Sequence, residues 1–246
     1  MEQKHRQSLF FSSNYIGIFR NTTYLCRRHL YKNIKANAEF LNGKLLDFGC
    51  GTKPYQYLFS KVTEYIGLDY ENEGHGHENE VIDRYYDGKE IPFDADYFDS
   101  LLSTEVLEHV EDLNFTLKEW NRVLKPNGKL LITLPFCFIE HELPNDFRRF
   151  TSVGIEKLLS DNGFECLKII KMGSPIEAIN QLKISYLEEI LPLKYLFIRI
   201  PVKLFIFAPI IVWALFWSWV LPKKQPLYIN TLILAEKADK VKPLNK

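Results

Sequence analysis

The sequence predicts an α/β fold in which a parallel sheet is covered by helices on both faces. Three observations lead to this prediction. Short apolar segments alternate with helical ones from Lys44 onward, a Gly-x-Gly bend follows the first of them, and an aspartate ends the second. Alternation of this kind favours parallel strands, because each helix returns the chain to the edge where the next strand starts.

The predicted elements follow in order along the chain. An N-terminal helix is predicted over 20–41, where apolar residues recur at helical spacing until Asn42-Gly43 stops the pattern. The predicted strands are 44–48, 64–69, 80–86, 97–103, 128–134, 164–171 and 227–236. The predicted helices that alternate with them are 54–61, 111–124 and 151–162. Asn127-Gly128 predicts a turn, and Thr151 predicts a helix N-cap.

Composition excludes several classes of protein. The 246 residues are 46% hydrophobic, and 31 basic residues balance 31 acidic ones. The chain has no net positive charge that would attract a polyanion, so we expect no nucleic-acid partner. The four cysteines form no CxxC pair, so we expect reduced thiols. No apolar stretch follows Met1 closely, so no secretory signal is expected, and His75 and His77 predict a flexible loop without a metal.

The first chemical motif is the glycine bend Gly49-Cys50-Gly51, which leaves a predicted buried strand. Glycine suits a position where a ligand approaches the backbone more closely than a Cβ permits. A dinucleotide fingerprint would need a third glycine where Pro54 stands, which disfavours a nicotinamide-dependent oxidoreductase. Asp69, at the end of the second strand, could accept hydrogen bonds from both hydroxyls of a ribose or could cap a loop.

Further motifs follow at ordered separations. They are Asp87 to Phe93 (D-G-K-E-I-P-F), Phe98-Asp99-Ser100-Leu101, Glu105 to His109 (E-V-L-E-H) and Arg122 to Gly128 (R-V-L-K-P-N-G). With the glycine bend, this series resembles class I S-adenosylmethionine-dependent methyltransferases of the type 11 family, over about residues 44–170 and the last strand. The resemblance implies methyl transfer, a Rossmann-like doubly wound sheet of seven strands with the last one antiparallel, and S-adenosyl-L-methionine as cofactor.

The resemblance also implies a cofactor site at the ends of the strands. Its implied residues are Asp47, Gly49, Cys50, Gly51, Asp69, Asp87, Thr104 and Glu105. In this site Asp69 would bind the ribose hydroxyls and Asp87 would accept from the adenine amino group. One departure is that Lys53 stands where the family has its third loop glycine, so the loop must take a stiffer path.

The run from Pro135 to Thr151 predicts the acceptor side, because it follows the fifth strand at the cofactor end of the sheet. It resembles a run found in methyltransferases that accompany polysaccharide and glycolipid synthesis. The candidate bases are His141 and His109, needed only if the acceptor must lose a proton. The candidate acceptor-binding residues are Glu140, Asp146 and Arg148, although Asp146 and Arg148 could instead form structural pairs.

We therefore expect a hydroxyl on a lipid-linked or envelope glycan as acceptor. Two alternatives stay open: a quinone-like or other small apolar acceptor, and a non-catalytic cofactor-binding partner subunit. The sequence does not indicate an oligomeric state.

Residues 195–221 are almost entirely apolar or aromatic. A buried core helix, a single membrane span and an interfacial insertion are all conceivable. We favour insertion on the cytoplasmic membrane face, with Pro201 and Pro209 as kinks, because a single crossing would leave the last strand on the wrong side. The predicted division is a helical cap over 1–43, a methyltransferase domain over 44–192 with 226–237, and a membrane-associated insertion over 193–225.

Overall fold

A computed structural model describes residues 15–70, 81–222 and 224–238. Its strands are β1 (Gly43–Phe48), β2 (Val62–Tyr70), β3 (Arg84–Tyr86), β4 (Phe98–Thr104), β5 (Leu124–Pro135), β6 (Phe164–Met172) and β7 (Asn230–Lys237). Its α-helices are α1 (Gly17–Arg20), α2 (Tyr24–Asn37), α3 (Leu113–Val123), α4 (Ser152–Asp161), α5 (Pro175–Ile190), α6 (Leu196–Val202) and α7 (Ala208–Val220).

The strands form one seven-stranded sheet in the order β3-β2-β1-β4-β5-β7-β6, with the last strand antiparallel. β1 pairs in parallel with β2 and β4, and Leu46 lies in register with Ile66 on one side and Leu101 on the other. The predicted doubly wound, Rossmann-like sheet is confirmed. Because β1, β2 and β4 are parallel neighbours, their carboxyl ends meet at one edge of the sheet.

Apolar residues at helical spacing bury one face of α3 against this sheet. Leu117, Trp120 and Val123 are fully buried in the main core. The side chain of Asp112 caps the helix by accepting from Phe115 N at 2.9 Å. The predicted Thr151 cap is confirmed, since its hydroxyl accepts from the first-turn amide of Gly154 in α4 at 3.0 Å.

The predicted helix over 54–61 is wrong. That stretch holds a single 3-10 turn at Gln56–Leu58. Its amide hydrogen bonds run to the third preceding residue, as in Leu58 N to Tyr55 O, and Lys53 at φ +50° does not continue into a helix. The missing α-helix therefore follows from the path that the chain takes through the bend.

Two other elements differ from the prediction. β5 begins at Leu124 instead of 128, so the turn predicted at Asn127-Gly128 is wrong: these residues lie inside the strand, where Asn127 has φ +60° and the pairing with β4 shifts register. α5 was not predicted, although a capping box of Ser174 and Glu177 marks its start. The described part of β3 is shorter than 80–86, and His75 and His77 lie outside the described residues.

The chain divides into two compact units, which we describe separately. The sheet unit comprises the described residues within 34–134, 144–170 and 232–246. The helical unit comprises those within 1–33, 135–143 and 171–231. The predicted three-part division has other bounds and stays a prediction.

A buried carboxylate ties three helices of the helical unit together. Glu177 on α5 is 1% exposed. His29 Nε2 and an Arg28 nitrogen on α2 lie 3.0 and 3.2 Å from its Oε1, and the Ser218 hydroxyl on α7 donates to its Oε2 at 3.0 Å. Burial opposes ionisation of Glu177, but the bonds from His29 and Ser174 outweigh it and lower its pKa to about 2.

α6, a π-helical turn (Lys203–Phe207) and α7 form one continuous helical segment, Leu196–Val220, which we call the apolar helix. By length and composition its 25 residues could cross a membrane, and 28% of its most apolar window is buried in the protein. Pro201 lies inside α6, and Pro209 lies in the first turn of α7.

We expect the Glu177 carboxylate to make stability depend on acidic pH. Its pKa is lower in the folded protein (about 2) than its ordinary value of 4.5, so its contribution is present above pH 4.5 and is lost as pH falls towards 2. Glu177→Gln should lower the free energy of unfolding by about 3 kcal/mol at neutral pH and by much less near pH 2. Denaturant unfolding across this range measures the difference.

Glu188→Gln, at an exposed position of the same helix, is the matched control and should follow the wild-type curve. A Glu177→Gln curve that stays parallel to the wild type at every pH would contradict the assignment.

Candidate active site

The glycine bend joins the ends of β1 and β2 within the sheet unit. The amides of Gly49 and Cys50 both donate to Leu68 O, at 2.9 and 3.2 Å. Gly49 has φ +72°, and a Cβ there would come within 2.4 Å of the Val106 side chain. Glycine at position 49 is therefore required by both backbone conformation and space.

The aspartate at the end of β2 holds the bend from the other side. Gly51 N donates to Asp69 Oδ2 at 2.7 Å, and Tyr70 N donates to Asp69 Oδ1 at 2.8 Å. Gly51 has φ +45°, and a Cβ built on it would meet no atom within 4 Å. Open space beside a half-exposed carboxylate gives a ligand access to both backbone and acid, which fits the ribose part of a nucleoside cofactor.

Lys53 fills the space beneath the bend. Its side chain is 4% exposed, and its ammonium pairs with Asp83, which also accepts from Gly67 N at 2.7 Å. A Cβ on Gly67 would come within 2.2 Å of Lys53 Cε. Burial opposes ionisation of Asp83, but the bonds from Gly67 and Lys53 outweigh it and lower its pKa. The departure from the family's third glycine thus introduces an ion pair between a buried lysine and an aspartate whose side chain is 43% exposed.

Asp47 and Cys50 direct their side chains away from the open side of the bend. Asp47 is buried, and its Oδ2 accepts from the Tyr65 hydroxyl at 2.6 Å. Burial raises the pKa of Asp47 to about 7, although the Tyr65 hydroxyl partly offsets this. The Cys50 thiol is buried against Gly67, and burial raises its pKa. Only the backbone of these two residues is placed to contact a ligand at the bend.

Asp87 lies in the exposed turn after β3. It accepts from Lys89 N at 3.1 Å, and this bond lowers its pKa. The exposed ring of Tyr70 reaches this turn, because a Cβ on Gly88 would come within 2.9 Å of it. Tyr70 thus connects the turn of Asp87 to the end of β2, and an exposed ring there could stack on a planar base.

The end of β4 meets the glycine bend through Val106. Thr104 is half-buried and lies in register with Thr133 of β5. Glu105 follows at φ +56°, with its amide bonded to Thr133 O at 3.0 Å. A non-glycine residue in this conformation carries strain of the kind found at functional sites. The structure thus brings the predicted Thr104-Glu105 segment to the bend.

His109 is held by its ring nitrogens just beyond β4. Its Nδ1 lies 2.9 Å from Asn145 O, and its Nε2 lies 3.8 Å from Oε1 of Glu108. A carbonyl only accepts, so Nδ1 carries the hydrogen in the neutral ring and Nε2 keeps a lone pair. Glu108 is fully buried, and burial together with the charge of Glu105 raises its pKa.

The predicted acceptor-binding residues fall in both units. In the sheet unit, Arg149 forms a two-pronged ion pair with Asp146 at 2.5 and 2.6 Å, and an Arg148 nitrogen donates to Glu111 O at 3.0 Å. Asp146 therefore forms a structural ion pair, the alternative to acceptor binding that the sequence left open. In the helical unit, Glu140 is exposed, and His141 Nδ1 lies 3.3 Å from Ile139 O.

Three site features were missed by the sequence reasoning. Burial of Lys53 depends on Asp83, thirty residues further along the chain, so no local signal indicates it. Glu108 was read as part of a motif, and its burial depends on tertiary packing. Tyr70 could have been identified from the sequence, since an aromatic residue directly after the strand-end Asp69 is placed to stack on a planar base.

Comparison with known proteins links this site to an enzyme family. The family described as "Methyltransferase domain" matches residues 46–132. A ubiquinone biosynthesis O-methyltransferase of Pelagibacter ubique is 34% identical over 102 residues, 37% of this chain and 41% of that protein. A demethylmenaquinone methyltransferase of Staphylococcus haemolyticus is 33% identical over 116 residues, 43% of this chain and 47% of that protein. The chain thus spans less than half the length of these two relatives.

Solved structures share the fold at low sequence identity. A Haloferax volcanii putative methyltransferase, in complex with the Trm112 activator, is 16% identical with a TM-score of 0.56, covering 95% of this chain and 98% of that chain. The [4+2]-cyclase SpnF is 17% identical with a TM-score of 0.55, covering 87% and 83%. These likenesses concern the fold alone.

We expect Asp69→Ala to weaken binding of S-adenosylmethionine by roughly tenfold or more, because a charged acceptor of two backbone amides is lost beside the open space at Gly51. Titration calorimetry measures the change. Asp161→Ala, which removes an exposed aspartate at the end of α4, is the matched control and should bind as the wild type does. Equal affinity in the two variants would remove Asp69 from the site.

We expect Lys53→Met to lower the free energy of unfolding by about 1 kcal/mol, since it removes the ion pair while the exposed Asp83 carboxylate it leaves behind can be solvated by water. The effect should be smaller in an Asp83→Asn background, because the paired charge is already gone. Lys53→Arg tests whether the ammonium or only the charge is needed. Denaturant unfolding of the four proteins in the cycle gives the coupling, and strict additivity would show that the pair does not hold the bend.

Proposed function

We propose that this chain, which carries a class I S-adenosylmethionine-dependent methyltransferase domain, transfers a methyl group from S-adenosylmethionine to a hydroxyl on a lipid-linked or envelope glycan. The observation that carries the methyl-transfer part is the bond from Gly51 N to Asp69 beside open space. It brings two of the residues implied for the cofactor together at one sheet edge.

The cofactor supplies a methyl group already activated on a sulfonium. The residues of the chain therefore bind, orient and exclude water, and none of them needs to act as a nucleophile. Asp69 and the backbone at Gly51 would hold the ribose, and Asp87 with the Tyr70 ring would receive the adenine. Thr104 and Glu105 would line the methionine side, where Val106 already packs against the bend.

A hydroxyl acceptor must lose its proton during transfer, and His109 is the residue of the sheet unit that we assign to this task. Its Nδ1 lies 2.9 Å from the carbonyl oxygen of Asn145, so in the neutral ring Nδ1 carries the hydrogen and Nε2 is the basic nitrogen. The Nε2 atom lies 3.8 Å from Oε1 of the buried Glu108, whose pKa is raised by burial and by the charge of Glu105. In the helical unit, His141 has the same arrangement with Ile139 O and is the second candidate.

A glycan acceptor is supported by the run over 135–151, which resembles the corresponding run of methyltransferases that accompany polysaccharide and glycolipid synthesis. One nitrogen of Arg148 donates to Glu111 O, and the guanidinium has further N–H donors that could bind sugar oxygens. Glu140 is exposed and offers a carboxylate of the kind that binds sugar hydroxyls.

A quinone precursor is the second candidate acceptor. Two relatives carry names from ubiquinone and menaquinone biosynthesis, and the apolar helix could collect an apolar acceptor from a bilayer. Both acceptor classes offer a hydroxyl or an activated ring position to the same donor.

We expect the purified chain to move labelled methyl from S-adenosylmethionine onto the lipid fraction of its host, and Asp69→Ala to reduce this transfer at least about tenfold, because the donor binds less tightly. Asp161→Ala is the control. Thin-layer separation of the labelled lipids distinguishes the acceptors, since mild acid releases a sugar from a lipid-linked glycan and leaves a quinone intact. Label in the quinone fraction alone would replace the glycan by the second candidate.

Binding of the donor without transfer to any lipid or glycan fraction would contradict the enzymatic proposal and leave a cofactor-binding subunit.

A further inference from the structure

The apolar helix buries one side and exposes the other. Its buried residues are Val202, Phe207, Ala208, Ile211 and Ala214. On the other side Phe205 and Trp219 are 72% and 79% exposed. The remaining exposed large apolar residues of this segment are Leu196, Phe197, Ile200, Leu204, Ile206, Val212, Trp213, Phe216 and Val220. Apart from Arg199 and Lys203 near its start, the exposed side is as apolar as the packed side, so the helix presents an apolar surface to its surroundings.

The π turn keeps the buried residues on one side. Val202 and Phe207 are five residues apart, a spacing that a regular α-helix would place on different sides. The wider π turn over Lys203–Phe207 keeps both residues on the buried side. From Phe207 onward the buried positions 207, 208, 211 and 214 follow the ordinary spacing. The exposed surface is therefore continuous along the segment.

Polar bonds fix the buried side to the rest of the helical unit. Ser218 donates to the buried Glu177 of α5 at 3.0 Å, and Lys203 Nζ donates to Arg20 O at 2.9 Å. α7 packs along α5, which exposes Lys183, Glu188 and Glu189. If the apolar helix crossed a bilayer with this packing, it would carry those charges towards the hydrocarbon at high cost.

The segment that connects β6 to β7, and that contains the apolar helix, begins and ends at the same place. Ile229 N donates to Met172 O at 2.8 Å, so the chain leaves β6 and returns to β7 at the same place. A single crossing of a membrane between 173 and 228 would separate these ends by the bilayer. The segment is about 37 Å long as one helix, which is too short for two crossings of about 30 Å each.

The charged residues in and around the apolar helix favour an anionic membrane as the partner of its exposed side. Between Glu189 and Glu236 the sequence holds Lys194, Arg199, Lys203, Lys223 and Lys224 and not one acidic residue. Arg199 and Lys203 lie near the start of the apolar helix, and the other three bases flank it in the sequence. Bases in these places match anionic headgroups above acyl chains, and tryptophans favour the boundary between them. A protein partner would need its own acidic rim, whereas an anionic leaflet supplies one everywhere.

We infer that the apolar helix lies in the plane of one membrane leaflet, with the surface that carries Phe205, Trp213 and Trp219 among the lipids and the flanking bases on anionic headgroups. This inference concerns the helical unit and does not depend on the acceptor or on methyl transfer.

Flotation of the full chain with vesicles of mixed phosphatidylcholine and phosphatidylglycerol tests the inference. We expect the wild type to float, and Phe205→Glu combined with Trp219→Glu to lower its partition at least about tenfold, because two large apolar contacts are replaced by like charges. Val153→Glu is the matched control, since Val153 is 71% exposed on α4 of the sheet unit. Unchanged binding of S-adenosylmethionine in both variants shows that they are folded.

Labelling from outside the vesicles distinguishes an apolar helix that lies in one leaflet from one that crosses the bilayer. Cysteines placed at the exposed Lys194 and Lys224 should both react with a membrane-impermeant maleimide added after binding, with the modified sites read by peptide mass spectrometry. Protection of one end only would show a crossing and overturn the inference. So would a wild type that stays in the supernatant as a dimer, or a charged variant that floats as well as the wild type.

Discussion

The arrangement of the candidate site depends on one hydrogen bond between neighbouring strand ends, from Gly51 N to Asp69 Oδ2. Parallel pairing of β1 with β2 brings the two residues to one edge, and positive φ at the bend turns the amide towards the acid. A carboxylate that accepts from the backbone is oriented before any ligand arrives, so less ordering remains to be done on binding. The bare glycine leaves the space beside it open.

The lysine beneath the bend shows how the chain accommodates its departure from the family pattern. A third glycine would leave this space to water or to a neighbouring side chain. Lys53 fills it instead and places a cation beside Asp83, close enough to Asp47 to favour its ionised form against the cost of burial. Because the buried Lys53 ammonium would be left without a partner if the bend opened, its ion pair with Asp83 favours the closed path of the bend.

Sequence reasoning was sufficient for the parallel, helix-covered sheet and for the Thr151 cap, because alternation and capping are local signals, while the family resemblance implied the seven strands and the antiparallel last one. It missed α5 despite the Ser174 and Glu177 box, and it placed a helix at 54–61, between the first two strands, where the structure has a single 3-10 turn. Lys53 takes a left-handed φ of +50° before this stretch, and its side chain pairs with Asp83, thirty positions further along the chain. Burial of Glu108 and Glu177 likewise arises from packing between elements. No local pattern contains that information.

Methyl transfer makes few demands on acidic or basic residues, since the donor is already activated. Selectivity for an acceptor must then reside in the walls of the acceptor site and in the route by which the acceptor arrives. The two relatives match only about two fifths of this chain, and the family match ends at residue 132. The run over 135–151 and the apolar helix both lie beyond it. A domain shared with many enzymes thus holds the donor, while the segments that distinguish this chain carry the polar groups and the apolar surface from which the acceptor is to be identified.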